Sequence, residues 1–291
     1  MGEQVCMTGA EYCDGAAVVD AGGYPVETTG NTVLDILERR SSTRAFARDD
    51  NDRPVAVTDE QRAAILHAAS RAPSAGAMMM YSIISIREQA TLDRLADLCD
   101  HQPMIAKAPW ALIFVVDYAK WIDLFEHVGC FEPEFVERTG KSPRRAPGLG
   151  DFAIAAQDAV IAAQNAVVAA EALGLGSCYI GDVVENAEEV AELLDLPPYT
   201  MPLSMLIVGT PRKERPAIAH PVVNLVHEER YCRADAATMD AQVAEMDAMF
   251  RPHAREVGER VMDIYTRKHT SPFMAEMSRS MEWWFKNWLG K

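Results

Sequence analysis

The 291-residue chain has few basic residues for its acidic ones: Lys and Arg number 28, Asp and Glu number 43, and the net charge is −15. A field of that sign repels nucleic acids and anionic lipid surfaces, so we expect neither as a partner. Only a local basic cluster can then bind an anionic ligand. The first thirty residues lack a basic stretch followed by an apolar one, so we expect no signal peptide and a cytoplasmic protein.

Cysteine is also scarce, and the common catalytic motifs are missing. The six cysteines form no C-x-x-C pair and match no zinc or iron–sulfur spacing, so we expect reduced thiols, although an even number leaves disulfides arithmetically possible. The sequence contains no G-x-S-x-G, no Walker A motif, no H-E-x-x-H and no pair of histidines at metal spacing. With no metal site and no obvious acid–base pair, the pattern favours chemistry supplied by a bound cofactor.

One long apolar run, residues 151–173, has the length of a membrane span. Its polar residues recur at intervals of seven and share a narrow helix face. They are Gln157, Asp158, Gln164, Asn165 and Glu171. Ionisable residues at mid-span argue against a lipid environment. We therefore predict a helix buried in a large core or a subunit interface, ended by Gly174 and Gly176.

Helices and strands alternate in the middle of the chain, and helices alone close it, which predicts an α+β protein. The predicted helices cover residues 31–39, 58–71, 89–98, 151–173, 187–194, 236–250, 255–267 and 272–288, and the predicted strands cover 82–87, 111–117, 178–181 and 204–209. We divide the chain into a flexible arm (1–30), a core (31–230) with an excursion or flap at 125–150, and a helical extension (231–291).

Three segments carry candidate binding chemistry. Residues 40–44 place two guanidiniums and three hydroxyls together, a set suited to phosphate, although basic residues also favour a helix C-terminus. Residues 72–77 are small and would let a flat ligand approach, but a plain turn explains them as well. Residues 174–181 follow a helix and precede a strand, the reverse of a dinucleotide fingerprint, and offer backbone N–H groups.

Taken in this order, the segments resemble the FMN-dependent nitroreductases, closest to the subfamily of NADPH-preferring nitroreductases and flavin reductase P. The resemblance extends over about residues 31–231 and is carried by these stretches: 40–46, 82–87, 163–165, 169–176, 179–181, 202–204, 208–211, 226–228 and Tyr231. It implies an α+β fold with a mixed sheet flanked by helices. It also implies an intertwined homodimer with two FMN sites at the subunit interface, where the long helix would lie.

The resemblance assigns cofactor-binding roles to these residues: Arg40, Ser41, Ser42, Arg44, Ser74, Gln102, Tyr179, Ile180, Gly181, Arg212 and Arg215. The first four would hold the FMN phosphate and ribityl chain. Ser74 would face the flavin from the partner chain, and Gln102 would lie near its pyrimidine edge. The next three would supply backbone contacts near flavin N5. The last two lie where relatives carry a basic element, and no side chain is implied as a catalytic residue.

The implied activity is that of an FMN-dependent NAD(P)H oxidoreductase working by ping-pong hydride transfer through flavin N5. The donor would be NADPH or NADH, and the acceptor a nitroaromatic, a quinone or free flavin. Two alternatives stay open: an enzyme of this fold with another reductive task (dehalogenation, azoreduction or flavin cleavage), or a non-catalytic FMN storage or sensor protein. The methionines of residues 77–81 favour flat apolar acceptors, unless they simply pack in the core.

Overall fold

The computed structural model describes residues 32–141, 144–213 and 225–290. The predicted N-terminal arm and Arg215 lie outside this range. The described residues form two compact units, one of residues 32–213 and 275–290 and the other of residues 225–274. The division of the chain at residue 231 stays a prediction.

The larger unit contains a small sheet and most of the helices. Its helices are α1 (Thr32–Arg39), α2 (Asp59–Ser70), α3 (Gln89–Leu98), α4 (Pro103–Ala106), α5 (Ala119–His127), α6 (Pro133–Thr139), α7 (Leu149–Ala172), α8 (Ala187–Leu193) and, from residue 275 onward, α11 (Pro272–Trp288). Its strands are β1 (Tyr81–Ile86), β2 (Trp110–Asp117), β3 (Gly176–Ile180) and β4 (Thr200–Gly209). The predicted α+β class is confirmed.

The four strands are ordered β1-β2-β4-β3 and pair antiparallel throughout. Every residue of β2 is buried, as expected for a central strand covered on both faces. Among the described residues, the parallel pairing of the predicted mixed sheet is a single bridge between Ser42 and Ser177. β1 and β3 therefore form opposite edges of the sheet.

β4 begins earlier than the sequence predicts, at Thr200 instead of residue 204. Pro202 lies inside this strand, although proline cannot donate to a strand ladder. In the structure Pro202 pairs with Val115 next to a register shift between Phe114 and Val115. An irregularity of this kind accommodates the missing donor, so the strand continues through the proline.

The long helix α7 lies against the sheet and against α2, and its small residues make the close approach possible. Eight of its residues are buried, six of them alanines. By length and composition alone α7 is the one described helix that could cross a membrane. Five of its six buried alanines belong to the same hydrophobic cluster as Trp110 and Phe114 of the sheet, which is the behaviour of a core helix.

A capping box opens α2, at the start of the helix predicted over 58–71: the backbone N–H of Gln61 donates to the Thr58 hydroxyl, and the Gln61 side chain accepts from the Thr58 N–H. The predicted excursion at 125–150 contains the end of α5, the short helix α6 and the start of α7. At the end of the chain, Trp284 and Trp288 of α11 are fully buried in the clusters of the larger unit.

The smaller unit contains α9 (Ala236–Phe250), α10 (Glu259–Ile264), a π-helical turn (Tyr265–His269) and the first residues of α11. The sequence predicts one helix over residues 255–267, but α10 starts only after Gly258. That glycine has φ +85°, outside the helical region, and its N–H donates to Asp247 at 2.6 Å. The helix therefore begins at the next residue.

Candidate functional site

Residues 40–46, which we call the arginine segment, run beside β3 and the chain that follows β4. The Thr43 N–H donates to the Ser177 carbonyl at 2.8 Å, and the Arg212 N–H donates to the Ala45 carbonyl at 3.0 Å. Two glycines make the approach possible: a Cβ at Gly176 would lie 2.2 Å from Thr43 Oγ1, and one at Gly209 would lie 2.8 Å from Phe46. The backbone of the segment is thus fixed by the sheet, with no residue at positive φ.

The side chains of the arginine segment are less engaged than its backbone. Within the described residues, the guanidiniums of Arg40 and Arg44 make no ion pair and no side-chain hydrogen bond. Arg44 is exposed, and Arg40 and Ser41 are half-buried. Both guanidiniums are therefore available to an anion.

Glu171 of α7 lies close to the same segment. Burial raises the pKa of its carboxyl, and the charges of Arg40 and Arg39 act in the opposite direction. Its buried Oε1 has no hydrogen-bond partner among the described residues. Glu171 is therefore a neighbour of the candidate phosphate site that the resemblance did not assign.

The predicted backbone contacts lie along β3, close to the arginine segment. Ser42 bridges to Ser177, which is two residues before Tyr179 and four before the exposed Gly181. The Tyr179 hydroxyl donates to Gln164 Oε1 at 3.3 Å. Burial raises the pKa of Tyr179 to about 12, and the charge of Arg40 acts against it. Strand β3 thus brings the arginine segment close to Tyr179, Ile180 and Gly181.

Gln102 is also brought to the end of β3. We call residues 100–102 the glutamine turn: Asp100 and His101 have φ values of 53° and 51°, left-handed for two consecutive non-glycine residues. The Gln102 N–H donates to Ala96 O at 2.9 Å, and its side-chain Nε2 donates to Asp182 Oδ2 at 2.5 Å. Asp182 directly follows Gly181, so Gln102 and the backbone of Gly181 are neighbours.

Glu185 lies three residues after Asp182 and contacts the glutamine turn as well. The backbone of Asp100 hydrogen-bonds to its carboxylate. Burial raises the pKa of Glu185 to about 7, and the nearby carboxylates of Asp182, Asp100 and Glu276 add to the shift. Burial likewise raises the pKa of the neighbouring Cys99 thiol.

Ser74 lies at a different place in the fold. It opens the serine loop, residues 74–80, which leads into β1 at the far edge of the sheet from β3. Gly76, Ala77 and Met79 of this loop have positive φ. Buried Asp158 of α7 holds the loop by accepting from the Ala75 N–H at 3.0 Å and the Met80 N–H at 3.3 Å. Within one chain the structure does not bring Ser74 to the other predicted site residues.

The methionines of the serine loop differ in exposure. Met80 is buried, Met78 is half-buried, and Met79 is 38% exposed. The Trp121 indole N–H donates to the Met78 carbonyl at 2.9 Å, and Phe125 and Phe131 pack against the same hydrophobic cluster. Packing in the core thus accounts for Met80, whereas Met79 faces the outside of the chain.

The polar residues predicted on one face of α7 lie in two different environments. Asp158 and Asn165, seven apart, bond to the serine loop and to the Ala68 carbonyl. Gln164 and Glu171, also seven apart, lie near Tyr179 and Arg40. The spacing of seven residues therefore indicated which side chains of α7 make polar contacts, but nothing in the sequence indicated their partners.

The last two predicted site residues follow β4. Arg212 is exposed and donates only its backbone N–H to Ala45, which places it beside the arginine segment. Arg215 lies outside the described residues. The roles of all these residues stay predictions.

An antiparallel sheet covered by a long alanine-rich helix, with an arginine cluster beside its edge strand, is the framework of a small α+β binding protein. Comparison with known proteins defines it further. The model of the nitroreductase family matches residues 37–210. The "FMN reductase [NAD(P)H]" of Bacillus subtilis (strain 168) is 33% identical over 215 residues, 73% of this chain and 79% of the relative. The "Oxygen-insensitive NADPH nitroreductase" of Salmonella typhimurium (strain LT2) is 33% identical over 218 residues, 73% of this chain and 81% of the relative.

Among solved structures, the NADPH:FMN oxidoreductase of Vibrio harveyi complexed with NAD⁺ superposes with a TM-score of 0.66 at 25% identity. The match covers 86% of this chain and 97% of that one. The chain belongs to the nitroreductase family, which confirms the resemblance seen in the sequence. These relatives are named as NAD(P)H-dependent flavin and nitro reductases, in agreement with the predicted oxidoreductase class and with FMN and NAD(P)H as its cofactors.

Proposed function

We propose that this protein is a cytoplasmic, homodimeric FMN-dependent NAD(P)H oxidoreductase that reduces nitroaromatics, quinones or free flavin. FMN, when bound, supplies the hydride transfer through its N5 atom. The chain itself binds and orients FMN and stacks donor and acceptor in turn beside the ring. The observation that carries the proposal is that the guanidiniums of Arg40 and Arg44 make no ion pair within the part of the chain that the structure describes, on a backbone that the sheet fixes.

The phosphate end of the site is supported by charge. Arg40 and Arg44 would hold the phosphate oxygens, and the hydroxyls of Ser41 and Ser42 would donate beside them. From Ser177, which bridges Ser42, to Gly181 the chain rises by about 13 Å, at roughly 3.3 Å per strand residue. The other end of β3 is therefore reached by the ring of an extended mononucleotide rather than by its phosphate.

The ring end is supported by backbone and amide groups. Gly181 is exposed and has no side chain, so its N–H is open to the ring. Gln102 lies next to it through Asp182 and offers an amide to the pyrimidine edge. Neither group needs to exchange a proton with the substrate, in agreement with a site whose reactive group is the cofactor.

The homodimer is supported by the position of Ser74. β1 and β3 are three strand intervals apart, about 14 Å at 4.8 Å per interval, so Ser74 of one chain lies far from its own Gly181. A second chain can supply the missing Ser74. Large apolar side chains of α7 and α1 are available for that contact: Val160 is 48% exposed, Ile161 39% and Leu37 47%.

The proposed function is tested by the pigment and its reduction. The purified protein should be yellow and should release FMN, not FAD, on denaturation, as chromatography of the supernatant shows. Anaerobic mixing with NADPH or NADH should bleach the flavin absorbance, and adding a quinone or nitroaromatic should restore it. FAD as the main pigment would contradict the cofactor, and a flavin that stays oxidised with both donors would favour a storage protein instead.

A further inference from the structure

The hydrogen bond between Gln102 and Asp182 fixes which way the Gln102 amide points. A carboxylate can only accept, so the group 2.5 Å from Asp182 Oδ2 must be the amide nitrogen, and the carbonyl oxygen Oε1 is left for another partner. Such a charge-assisted bond is about twice as strong as a neutral one. The orientation of the amide is therefore set by Asp182.

The backbone of Gln102 is fixed as firmly as its side chain. Its N–H donates to Ala96 O at 2.9 Å, and its carbonyl accepts from the Ile105 N–H at 3.1 Å. The two residues before it are left-handed, a conformation that is unfavourable for residues other than glycine and persists only where surrounding contacts enforce it. Strain of this kind concentrates at functional sites.

The contacts that hold this turn come from the segment after β3. Asp182 and Glu185 are three residues apart in the 3-10 helix Gly181–Val184 and the residue that follows it, a spacing at which side chains point the same way. Asp182 accepts from the Gln102 side chain, and Glu185 accepts from the Asp100 backbone. The same short segment thus provides both the open Gly181 N–H and the carboxylate that orients Gln102.

We propose that Asp182 is a positioning residue for cofactor binding: its carboxylate engages Nε2 of Gln102 and thereby presents the Gln102 carbonyl oxygen to the imide N–H of bound FMN. This inference rests on the proposed function. The Asp182 carboxylate also places a negative charge next to the Gln102 amide, and thus one amide group away from the pyrimidine edge of bound FMN. Because reduction adds negative charge to the flavin, Asp182 lowers the affinity for reduced FMN relative to oxidised FMN.

The experiment compares Asp182→Asn with a control of the same charge change, Asp97→Asn, at an exposed position of α3. The full chain, stripped of FMN in high salt, is titrated with FMN by flavin fluorescence. An asparagine can donate or accept, so the Gln102 amide is free to flip, and FMN should bind about tenfold more weakly. The control should bind as the wild type does.

A double-mutant cycle separates orientation from general disturbance. In the Gln102→Ala background, Asp182→Asn should cause no further loss of FMN affinity, because the group it orients is gone. Losses that simply add in the double variant would overturn the proposal. If Asp182→Asn does not fold, Asp182→Ser serves in the same cycle.

The reduction potential is a readout that a purely structural role would not move. In Asp182→Asn the ratio of affinities for reduced and oxidised FMN should rise about tenfold, which raises the midpoint potential of the two-electron couple by about 30 mV. A potential equal to that of Asp97→Asn would overturn the proposal. A wild-type chain that binds no FMN would instead reject the proposed function, so the two failures are distinguishable.

Discussion

The segments of the candidate site are anchored in two different ways. The arginine segment is held by backbone hydrogen bonds to β3 and to the chain after β4, and its guanidiniums make no ion pair with any residue that the structure describes. The serine loop and the glutamine turn contain left-handed residues and are held by carboxylates from elsewhere in the fold: Asp158, Asp182 and Glu185. The arginines of the candidate site are thus not needed to hold their own backbone, whereas the carboxylates that hold the left-handed segments are already hydrogen-bonded.

The largest expected effect comes from a substitution that separates the two chains of the proposed dimer, and with them the serine loop of one chain from the arginine segment of the other. If a second chain brings the serine loop to the arginine segment, Val160→Glu should give a folded monomer that binds FMN at least a hundredfold more weakly, because a carboxylate in the interface would be buried without a partner. Light scattering and FMN titration measure both properties. A flavin-loaded dimer of Val160→Glu would contradict the proposed interface.

Val167→Glu is the matched comparison on the same helix. Val167 is fully buried within its own chain, whereas Val160 is 48% exposed. An unpaired charge at Val167 should therefore prevent folding altogether. Soluble expression and circular dichroism distinguish the two variants, and an equally folded Val167→Glu chain would show that α7 is not a core helix.

The next effect concerns the anchor of the serine loop. Asp158→Asn should destabilise the protein by about 1–3 kcal/mol, because one of the two backbone N–H groups that Asp158 accepts from would lose its acceptor and meet an amide donor instead. Thermal unfolding measures the loss. Asp123→Asn, at an exposed position of α5, is the control and should unfold as the wild type does.

The arginine segment should behave in the opposite manner. Arg44→Ala should weaken FMN binding by about 1.5–3 kcal/mol, the value of a charge-assisted contact, with little change in stability, since Arg44 is exposed and unpaired in the described structure. Isothermal titration with FMN measures the affinity, and a thermal melt measures the stability. Arg53→Ala, at an exposed arginine that also makes no ion pair within the described residues, is a control for loss of positive charge. Destabilisation by Arg44→Ala without loss of FMN affinity would assign the residue to the fold.

The difference between the anchors also explains what the sequence could predict. The arginine segment is a contiguous run of charges and hydroxyls, and the capping box at Thr58 is equally local, so both are readable from neighbours in the chain. Asp158 meets the serine loop 83 and 78 residues away, and Asp182 meets Gln102 across 80 residues. No local pattern encodes such partners, because they depend on how the strands order in the sheet.

The predicted starts of two elements, β4 and α10, were wrong for the same reason. The strand predicted over 204–209 begins at Thr200, because Pro202 lies opposite the irregularity in β2 and β4 continues through it. The helix predicted over 255–267 begins only at Glu259, because Gly258 adopts a left-handed conformation and bonds to Asp247 of α9. In both cases a tertiary partner overrides the local preference.

A smaller effect follows from the anchor of the glutamine turn. The pKa of Glu185 is raised in the folded chain to about 7, so its proton is held in the folded state over a range where the unfolded chain has lost it. This contribution to stability is fully present below about pH 4.5 and is lost as the pH rises through 7. Glu185→Gln keeps an oxygen for the Asp100 N–H but carries no charge.

The advantage of Glu185→Gln over the wild type should therefore grow by about 1–2 kcal/mol between pH 5 and pH 8.5. Thermal unfolding of both proteins at three pH values measures it. Glu192→Gln, exposed on α8, should show no such trend. A pH-independent difference would mean that Glu185 is ionised throughout this range.

The smallest expected effect concerns the exposed residue of the serine loop. Met79 is 38% exposed and Met80 is buried, so only the first can meet an acceptor at a site completed by a second chain. A polarisable thioether contributes about 0.3–1.5 kcal/mol to an aromatic contact. Met79→Gln should therefore lower kcat/KM for large flat quinones and polycyclic nitroaromatics by two- to tenfold relative to small polar acceptors. Met80→Leu, a core substitution of similar volume, should leave the ranking of acceptors intact. A ranking that is the same in Met79→Gln as in the wild type would assign Met79 to packing, and the serine loop would then contribute to the site through Ser74 alone.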